Sequence, residues 1–349
     1  MSVSLRDVAK QAGVSVGTVS NVLNRPQVVA PETLERVQKT IESMGFVPNG
    51  FARHLRAGYS KTLGLVVPDV ANPFFTEVAR GVEDAASKRD YAVFLCNSDE
   101  SAEKEERYLS ILIEHQVRGV LITPADNRPD RLDGLRERGI AVALLDRESA
   151  TSIQCSVSVD DVRGGEIGIQ HLVELGHTRI AWVNGPESIP QCADRAVGVA
   201  RAAKAAKITV TTVRASLMNT VTGEEVTKEI LALDEMPTAI FCANDLLALG
   251  VMRALMSEGI KVPEHISLLG YDDIAFASSA AIPLSSVAQP AYQLGVAAAE
   301  LILSECEDSD EHAHQQIRFQ PQLIARSSTS SIGKKYKAVG GKKNQLTSI

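Results

Sequence analysis

The chain has 349 residues, 44% of them hydrophobic, which is enough to bury at least one full core and favours two or three domains. Its five cysteines form no C-x-x-C pair, so neither a disulfide framework nor a metal site is predicted and a reducing compartment fits. No signal-peptide pattern begins the chain, and no apolar run reaches about 18 residues. We therefore expect a cytoplasmic protein with no membrane partner.

The formal net charge of −7 is unevenly distributed along the chain. Residues 1–60 carry a net charge of +3, whereas residues 61–349 carry −10. Cations strengthen the binding of nucleic acid only where they meet its phosphates. This division is typical of a small head that contacts DNA and a larger body that does not.

A short amphipathic helix is predicted at the start of the chain. Leu5, Val8 and Ala9 have the i, i+3, i+4 spacing of one apolar helix face. Ser4 can cap this helix at its N-terminus, and Gly13 ends it. The turn that follows Gly13 leads directly into a second helix.

The second predicted helix completes a helix-turn-helix. Ser15 can cap it, and Val19, Val22 and Leu23 repeat the apolar spacing. Two helices separated by three or four residues including a glycine are the layout of a DNA-binding helix-turn-helix. The second helix should enter a major groove, with residues near its N-terminus facing base edges.

A third helix is predicted over Glu32 to Met44, and Pro31 is well suited to a first helical position. Its apolar residues Leu34, Val37 and Ile41 lie along one stripe that can close a three-helix head. Beyond it, the segment FARHLRAG (residues 51–58) allows a helix of two turns at most. Such a helix is too short to be stable alone in water, so its formation should depend on a partner.

From residue 61 onward, short apolar runs alternate with longer amphipathic segments. This alternation predicts right-handed βαβ units and an α/β body, divided into two similar halves because eight or more strands are many for one sheet. The predicted strands are 63–67, 92–96, 119–122, 141–145, 156–159, 180–183, 239–242, 266–269 and the short run 285–288. Residues 327–349 are rich in Ser, Lys and Gly and are predicted to form a disordered tail.

Polar and aromatic side chains follow six of these strands. Ligands of open α/β sheets bind beyond the carboxyl ends of the strands. Planar Asp, Asn, Gln and Arg groups can meet adjacent hydroxyls, and aromatic faces cover the C–H side of a sugar ring. The candidate residues are Asn72, Phe74, Phe75, Asp146, Arg147, Arg195, Asn244, Asp272 and Gln289. Taken singly, such residues are usually caps or core, and we interpret Asp245 as structural.

Two other classes of protein are weighed against this interpretation. An enzyme is not indicated, because the seven histidines form no HExxH and no Ser-His-Asp constellation, and His312 and His314 lie in an acidic loop. The run Gly164-Gly165-x-x-Gly168 lacks the order of a nucleotide loop and is better explained by close helix–sheet packing. A solute-binding protein of a transport system would need an export signal where this chain has a helix-turn-helix. No cofactor is predicted.

Several motifs resemble those of the LacI/GalR family of transcription regulators, over about residues 5–326. The head sequence LRDVAKQAGVSVGTVSNVLN and the hinge sequence ARHL (residues 52–55) are specific to that family. The matching body segments are NPFF (72–75), LDR (145–147), LGHTRIAWVNGP (175–186), CANDLLALG (242–250) and VPEHISLLGYDD (262–273).

The resemblance implies a small all-α helix-turn-helix DNA-binding domain and an α/β periplasmic-binding-protein-like core of two subdomains. The implied boundaries are 1–48 for the helix-turn-helix domain, 49–60 for the hinge helix and linker, 61–326 for the core, about 61–159 plus 289–318 for its N-subdomain, and about 160–288 plus 319–326 for its C-subdomain. The tail lacks the leucine heptads of a tetramer, so a homodimer is expected.

The resemblance also implies a near-palindromic double-stranded operator DNA as partner. Val16, Gly17 and Asn21 match base-reading positions, and Leu55 matches a hinge leucine that wedges into the minor groove. The implied DNA-binding set is Leu5, Ser15, Val16, Gly17, Thr18, Ser20, Asn21, Asn24, Arg53 and Leu55. Gly17 has no side chain with which to read a base, and Ala30 stands where relatives often carry a capping Ser, at a cost of about 1 kcal/mol.

The candidate residues at the strand ends resemble the ligand set of ribose-binding proteins and ribose operon repressors. Ribose or a related sugar is therefore the expected effector, although a position near Met218 to Val221 that is aromatic in several relatives is not aromatic here. A purine or nucleoside effector on the same fold is the alternative. An effector that closes the two subdomains should change the separation of the two hinges. Because an effector shifts an equilibrium only through its different affinities for the two states, effector and operator should each weaken the binding of the other.

Overall fold

The computed structural model describes residues 3–46, 60–126, 128–308 and 311–332 of the chain. It divides into two compact units, Met1–Ser60 and Lys61–Ile349. The predicted hinge contacts Arg53 and Leu55 lie outside the described residues. Among the helices of the described ranges, none combines the length and the apolar character that a membrane crossing needs.

The first unit contains three helices: α1 (Leu5–Ala12), α2 (Val16–Asn24) and α3 (Pro31–Met44). Ser4 and Asp7 form a reciprocal capping box at the start of α1, and Ser15 caps α2 by accepting a hydrogen bond from the Thr18 backbone N–H at 3.0 Å. The predicted caps are thus confirmed. The apolar core comprises Val8, Ala9, Ala12, Val19, Val22, Val37 and Phe46, with Leu5, Leu34 and Ile41 packed against it.

The third helix begins as predicted, with Pro31 at its first helical position. Its N-cap residue Ala30 makes no side-chain hydrogen bond. Proline is favourable at the first helical position because that N–H has no partner within the helix. Gly45 ends the helix in the left-handed conformation, at φ +60°.

The second unit is built on two six-stranded sheets. The strands are β1 (Thr62–Val67), β2 (Ala92–Asn97), β3 (Gly119–Ile122), β4 (Ala141–Leu145), β5 (Cys155–Val159), β6 (Arg179–Asn184), β7 (Thr209–Arg214), β8 (Ala239–Cys242), β9 (Ser267–Asp272), β10 (Ser285–Ala288), β11 (Gln316–Phe319) and β12 (Gln322–Ile324). The first sheet has the strand order β11-β5-β4-β3-β1-β2 and the second β12-β10-β9-β8-β6-β7. All neighbouring strands are parallel except β10 and β12.

Helices connect the strands and cover the two sheets, as the α/β prediction requires. They are α4 (Pro73–Ser87), α5 (Ala102–Glu114), α6 (Asp133–Arg136), α7 (Asp161–Glu174), α8 (Pro190–Ala206), α9 (Thr220–Leu231), α10 (Asp245–Ser257), α11 (Ala275–Ser279) and α12 (Ala291–Glu307). Two short 3₁₀ turns lie at Pro26–Val28 and Pro129–Leu132. Separate apolar cores lie in the two halves of the body.

Three strands were not predicted from the sequence: β7, β11 and β12. Each lies at the edge of its sheet and consists mostly of exposed or partly buried residues, so none shows the continuous apolar run of a central parallel strand. β11 belongs to the first sheet although β6 to β10 belong to the second. The chain therefore crosses between the two halves of the body more than once.

The tail predicted to begin at residue 327 is packed up to Ile332. Ser328 is fully buried and donates a hydrogen bond from its hydroxyl to the backbone oxygen of Leu268 at 2.6 Å. The backbone oxygen of Ser330 lies 3.1 Å from Nε2 of His177. The small polar side chains of this segment carry no apolar pattern, so the sequence predicts disorder there. They are fixed instead by hydrogen bonds to the second sheet.

The glycine run in α7 is a packing feature, as predicted. A Cβ atom at Gly164 would lie 2.0 Å from the Tyr271 hydroxyl, and one at Gly168 would lie 2.3 Å from the Phe241 ring. A Cβ atom at Gly165 would lie 2.2 Å from the backbone oxygen of Arg195 on α8. The absence of side chains thus lets α7 approach both the second sheet and α8.

Candidate functional site

A cavity of about 130 Å³ lies at the carboxyl ends of the strands of both sheets. This volume is several times what one water molecule needs, and it suits a small molecule. The structure brings all nine residues of the predicted effector set to its lining: Asn72, Phe74, Phe75, Asp146, Arg147, Arg195, Asn244, Asp272 and Gln289. Residues that are up to 217 positions apart in the sequence therefore meet at one site, as the topology rule for strand ends predicts.

Asp146 is the main acidic group from the first sheet. It follows β4 with φ +51°, a left-handed conformation that Asp tolerates better than most residues. The side-chain Nε2 of Gln191 donates to its Oδ2 at 2.9 Å and to its backbone oxygen at 2.5 Å. Burial raises the pKa of Asp146 to about 7, and the negative charge of Asp161 adds to the shift.

Asp272 is the corresponding acidic group from the second sheet. It ends β9 with φ +100°, and its Oδ1 accepts a hydrogen bond from Nε2 of Gln289 at 2.7 Å. Burial raises its pKa to about 6, against the opposing effects of Arg195 and of hydrogen bonds from Gln289 and Asn72. The site thus contains two buried carboxyl groups that change protonation state near neutral pH.

Arg195 is the buried cation of the site. Its Nε donates to Oδ1 of Asp161 at 2.7 Å, and one terminal nitrogen donates to the backbone oxygen of Ala243 at 2.6 Å. The guanidinium carbon lies 3.7 Å from the centre of the Tyr271 ring. Burial alone would lower the pKa of Arg195, but Asp161 and Tyr271 outweigh that effect and raise the pKa well above its ordinary value.

Two asparagines of the set also cap helices. Asn72 accepts a hydrogen bond from the Phe74 N–H at 3.0 Å, and Asn244 accepts one from the Leu247 N–H at 2.9 Å. The side-chain nitrogen of Asn244 also donates to the backbone oxygen of Met218 at 3.0 Å. Capping and cavity lining are therefore compatible roles for the same side chain, because the cap uses only the amide oxygen.

Asp245 has the structural role that its sequence context indicated. Its two carboxylate oxygens accept hydrogen bonds from the Ile274 N–H at 2.9 Å and from the Ser286 hydroxyl at 2.7 Å. It is fully buried and does not line the cavity. It connects the start of α10 to the strand ends that carry Asp272 and Gln289.

The aromatic part of the lining consists of Phe74 and Phe75. Their ring centres are 5.0 Å apart and their planes are inclined by 78°. Phe74 is buried and Phe75 half-buried. Met218 also lines the cavity. It lies in the region, Met218 to Val221, where several relatives carry an aromatic residue and this chain does not. The site therefore offers separate ring surfaces and no parallel pair of rings among the described lining residues.

Three functional positions were missed in the sequence. Gln191 holds Asp146, while Asp161 and Tyr271 hold Arg195. Gln191 lies at the second position of α8, and Asp161 at the first position of α7. Polar residues at the first positions of a helix that follows a strand could have been added to the candidates, because these positions lie beside the carboxyl ends of the strands.

The lining combines fixed donors with acceptors that lack a partner. Asp146 Oδ1 and Gln289 Oε1 are buried and accept no hydrogen bond from any residue that the structure describes. Buried polar atoms are rarely left without a partner, and each such atom costs free energy. The site is therefore suited to a ligand that brings hydrogen-bond donors to both halves of the body.

In the first unit, α2 exposes the residues predicted to read base edges. Val16, Gly17 and Asn21 are exposed, while Val19 and Val22 on the opposite face are buried in the head core. A Cβ atom at Gly17 would meet only Ser15 Oγ, at 3.6 Å. Of the remaining predicted contacts, Ser15 is exposed, Thr18, Ser20 and Leu5 are half-buried, and Asn24 is the last residue of α2. Within the first unit, Ser15, Val16, Gly17 and Asn21 thus form an exposed surface at the start and middle of α2.

Comparisons with known proteins agree with this two-part organisation. Residues 4–49 match the family model described as bacterial regulatory proteins, lacI family, and residues 169–329 match a periplasmic binding protein-like domain. The chain is 33% identical over 333 residues to the HTH-type transcriptional repressor PurR of Aliivibrio fischeri, covering 94% of this chain and 98% of that protein.

Two solved structures are similar to the chain in fold. A LacI-family transcriptional regulator of Enterococcus faecium with bound ribose has a TM-score of 0.72 and 30% identity, covering 78% of this chain and 100% of that one. The lac repressor dimer bound to operator and the anti-inducer ONPF has a TM-score of 0.83 and 26% identity, covering 95% of this chain and 100% of that one.

The buried ion pair at the base of the cavity generates a stability prediction. Asp161→Ala leaves the buried Arg195 without its closest carboxylate, so the free energy of unfolding should fall by about 3–5 kcal/mol. Tyr271→Phe keeps the ring and removes only the hydroxyl that donates to Asp161 at 2.9 Å, and should cost about 1 kcal/mol. Urea denaturation followed by circular dichroism measures both values. Equal losses in the two variants would contradict the prediction.

Proposed function

The chain belongs to the LacI family of bacterial regulatory proteins, and from this membership we propose that it is a transcriptional repressor whose effector is a monosaccharide, with ribose as the first candidate. Effector-controlled repression through DNA binding is the function of the family to which the head and body match. The similar protein of Aliivibrio fischeri is named a transcriptional repressor. The identity of the effector rests on the chemistry of the cavity.

The observation that supports this proposal is that two buried oxygens of the lining, Asp146 Oδ1 and Gln289 Oε1, accept no hydrogen bond from the described part of the chain. A sugar supplies hydroxyl groups on adjacent carbons, each of which donates one hydrogen bond and accepts others. Hydroxyl donors would satisfy these two oxygens, while Arg195 and the amide nitrogens would donate to the sugar oxygens. The similar regulator of Enterococcus faecium contains bound ribose, which supports the same class of ligand.

A purine or nucleoside is the second candidate, because the curated relatives include the repressor named PurR at 33% identity. A planar purine gains most from aromatic faces on both sides. Phe74 and Phe75 are inclined by 78° and offer no such sandwich. The cavity has carboxyl groups from both halves of the body, which favour a ligand with hydrogen-bond donors on all sides. These features favour the sugar.

We further propose that two copies act together on a near-palindromic operator in the cytoplasm, as a homodimer. The similar lac repressor is a dimer bound to operator. In this proposal Val16, Gly17 and Asn21 read base edges, Ser15, Thr18, Ser20 and Asn24 support them, and Leu5 with the hinge residues Arg53 and Leu55 adds further contacts. Through the hinge at 49–60, sugar binding in the body changes the affinity of the two helix-turn-helix domains for DNA.

Calorimetry on the purified full chain tests the effector directly. D-ribose should bind at one site per chain, more tightly than D-glucose, adenosine or adenine. Asp146→Asn should weaken ribose binding by roughly 10- to 150-fold, because hydrogen bonds to a charged group contribute about 1.5–3 kcal/mol. Asp234→Asn, at an exposed position outside the cavity, serves as the matched control. Tighter binding of adenosine or adenine than of any sugar would instead establish the purine alternative.

The raised pKa of Asp146 makes sugar binding dependent on pH. The group titrates at about 7 without ligand, and a donating hydroxyl favours the ionised form, so its pKa falls on binding. Binding must therefore release protons, and affinity must rise between about pH 6 and about pH 8. Calorimetry in two buffers of different ionisation enthalpy measures the released protons. Proton uptake on binding would contradict the proposal, and Asp146→Asn should remove most of the release.

The control of DNA binding is tested with a duplex selected from a random library by the full chain. Ribose should release the wild-type protein from this duplex in a fluorescence anisotropy titration. Asp272→Ala should bind the duplex with unchanged affinity but should not be released, because its sugar site lacks one carboxyl group. Asp234→Ala should respond like the wild type. Release of the Asp272 variant at wild-type ribose concentrations would remove Asp272 from the site.

A further inference from the structure

Four side chains that commonly bind metals meet where strand β5 begins. Cys155 opens β5, Glu305 lies near the end of α12, and His312 and His314 lie in the segment before β11. Their ligand atoms all lie within 4.8 Å of one another. The sequence predicted no metal site, because Cys155 is 157 positions from His312 and the two do not form a recognisable spacing.

The separations of these atoms are close to those of a tetrahedral zinc site. Cys155 Sγ lies 3.1 Å from His312 Nε2 and 3.8 Å from His314 Nδ1. Glu305 Oε2 lies 3.9 Å from His312 Nε2 and 3.8 Å from His314 Nδ1. Zinc bonds of about 2.3 Å to sulfur and about 2.0–2.1 Å to nitrogen or oxygen place tetrahedral ligands roughly 3.3–3.6 Å apart. Each of these four separations is within about half an ångström of that range, and the other two pairs of ligand atoms lie within 4.8 Å of each other.

Neighbouring groups orient the ligands as in known metal sites. The second ring nitrogen of His312, Nδ1, lies 3.2 Å from the Ser304 hydroxyl, which directs Nε2 toward the cluster. Metal-binding histidines commonly use their other ring nitrogen in this way. The backbone N–H of Gln315 donates to Cys155 Sγ at 3.4 Å, which helps to fix the position of the sulfur.

Hydrogen bonds within the cluster do not account for all of its polar atoms. Glu305 Oε2 is buried and accepts no hydrogen bond from any residue of the described ranges. A carboxylate oxygen held in this way costs free energy unless a cation or a donor meets it. A metal ion at the centre of the cluster would satisfy this oxygen and the sulfur together.

We propose that Cys155, Glu305, His312 and His314 bind one divalent transition-metal ion of the zinc class. One thiolate, two imidazoles and one carboxylate form a mixed set that suits Zn²⁺ and its tetrahedral substitute Co²⁺, and it does not suit Mg²⁺ or Ca²⁺, which require oxygen ligands. All four ligand positions are filled by protein, as in structural zinc sites, which leave no open position for a reacting water.

The proposed metal site is separate from the effector cavity. Cys155 is the first residue of β5, whereas the cavity lies at the carboxyl ends of the parallel strands, at the opposite edge of the sheet. Bound metal would join the end of α12 and the segment before β11 to the start of β5. It should therefore raise thermal stability without changing the affinity for sugar, so its test is independent of the proposed function.

The experiment uses the full chain without a histidine tag, stripped of metal with a chelator. Calorimetric titration with Zn²⁺ should show one site per chain and a higher melting temperature. Co²⁺ should produce the thiolate charge-transfer absorption of a cysteine-bound cobalt ion. Cys155→Ser should abolish that absorption, and His314→Ala should weaken Zn²⁺ binding at least tenfold. His314 is exposed, so this variant tests the site even if the buried Cys155 variant does not fold.

The matched control is His115→Ala. His115 is exposed and lies outside the cluster. Its ring packs edge-on against the Phe94 ring, with the two ring centres 5.9 Å apart. This variant should bind Zn²⁺ with wild-type affinity. The proposal is overturned if the wild type binds no Zn²⁺, if bound Co²⁺ shows no thiolate absorption, or if His314→Ala and His115→Ala bind Zn²⁺ equally well.

Discussion

The buried guanidinium of Arg195 is the constraint on which the body depends. A charge in this position is tolerated only when its partners surround it, and here they come from three elements: Asp161 on α7, Tyr271 on β9 and the backbone oxygen of Ala243 after β8. The close approach of α7 in turn requires Gly164, where any Cβ would collide with Tyr271. The close packing of α7 is therefore what places Asp161 beside the charge of Arg195.

The same arrangement prepares the cavity for a ligand. Asp146 is supplied by the first sheet, whereas Asp272, Asn244 and Gln289 are supplied by the second. A small polar ligand that satisfies acceptors on both sides must hold the two halves at one separation, and it can bias the repressor only through its different affinity for the two states. Burial raises the pKa values of Asp146 and Asp272 because it disfavours their charged forms. A ligand that donates hydrogen bonds to these carboxylates stabilises the charged forms.

The proposed metal cluster lies where strand β5 of the first sheet begins, at the opposite ends of the strands from the cavity. β11 reaches this sheet only after the chain has built most of the second one. The pairing of β11 with β5 brings His312 and His314 close to Cys155. A metal ion there would stabilise the crossing without contacting the cavity.

The sequence by itself determined the features that depend on local spacing and on general topology. The caps Ser4 and Ser15, the central strands and the gathering of the nine candidate residues followed from helix periodicity, apolar runs and the rule that ligands meet strand ends. Only the tertiary structure decided the edge strands β7, β11 and β12, the support of Asp146 by Gln191, and the meeting of Cys155 with two distant histidines. These depend on contacts between segments far apart in the chain, and no local pattern encodes which polar side chain a buried group will meet.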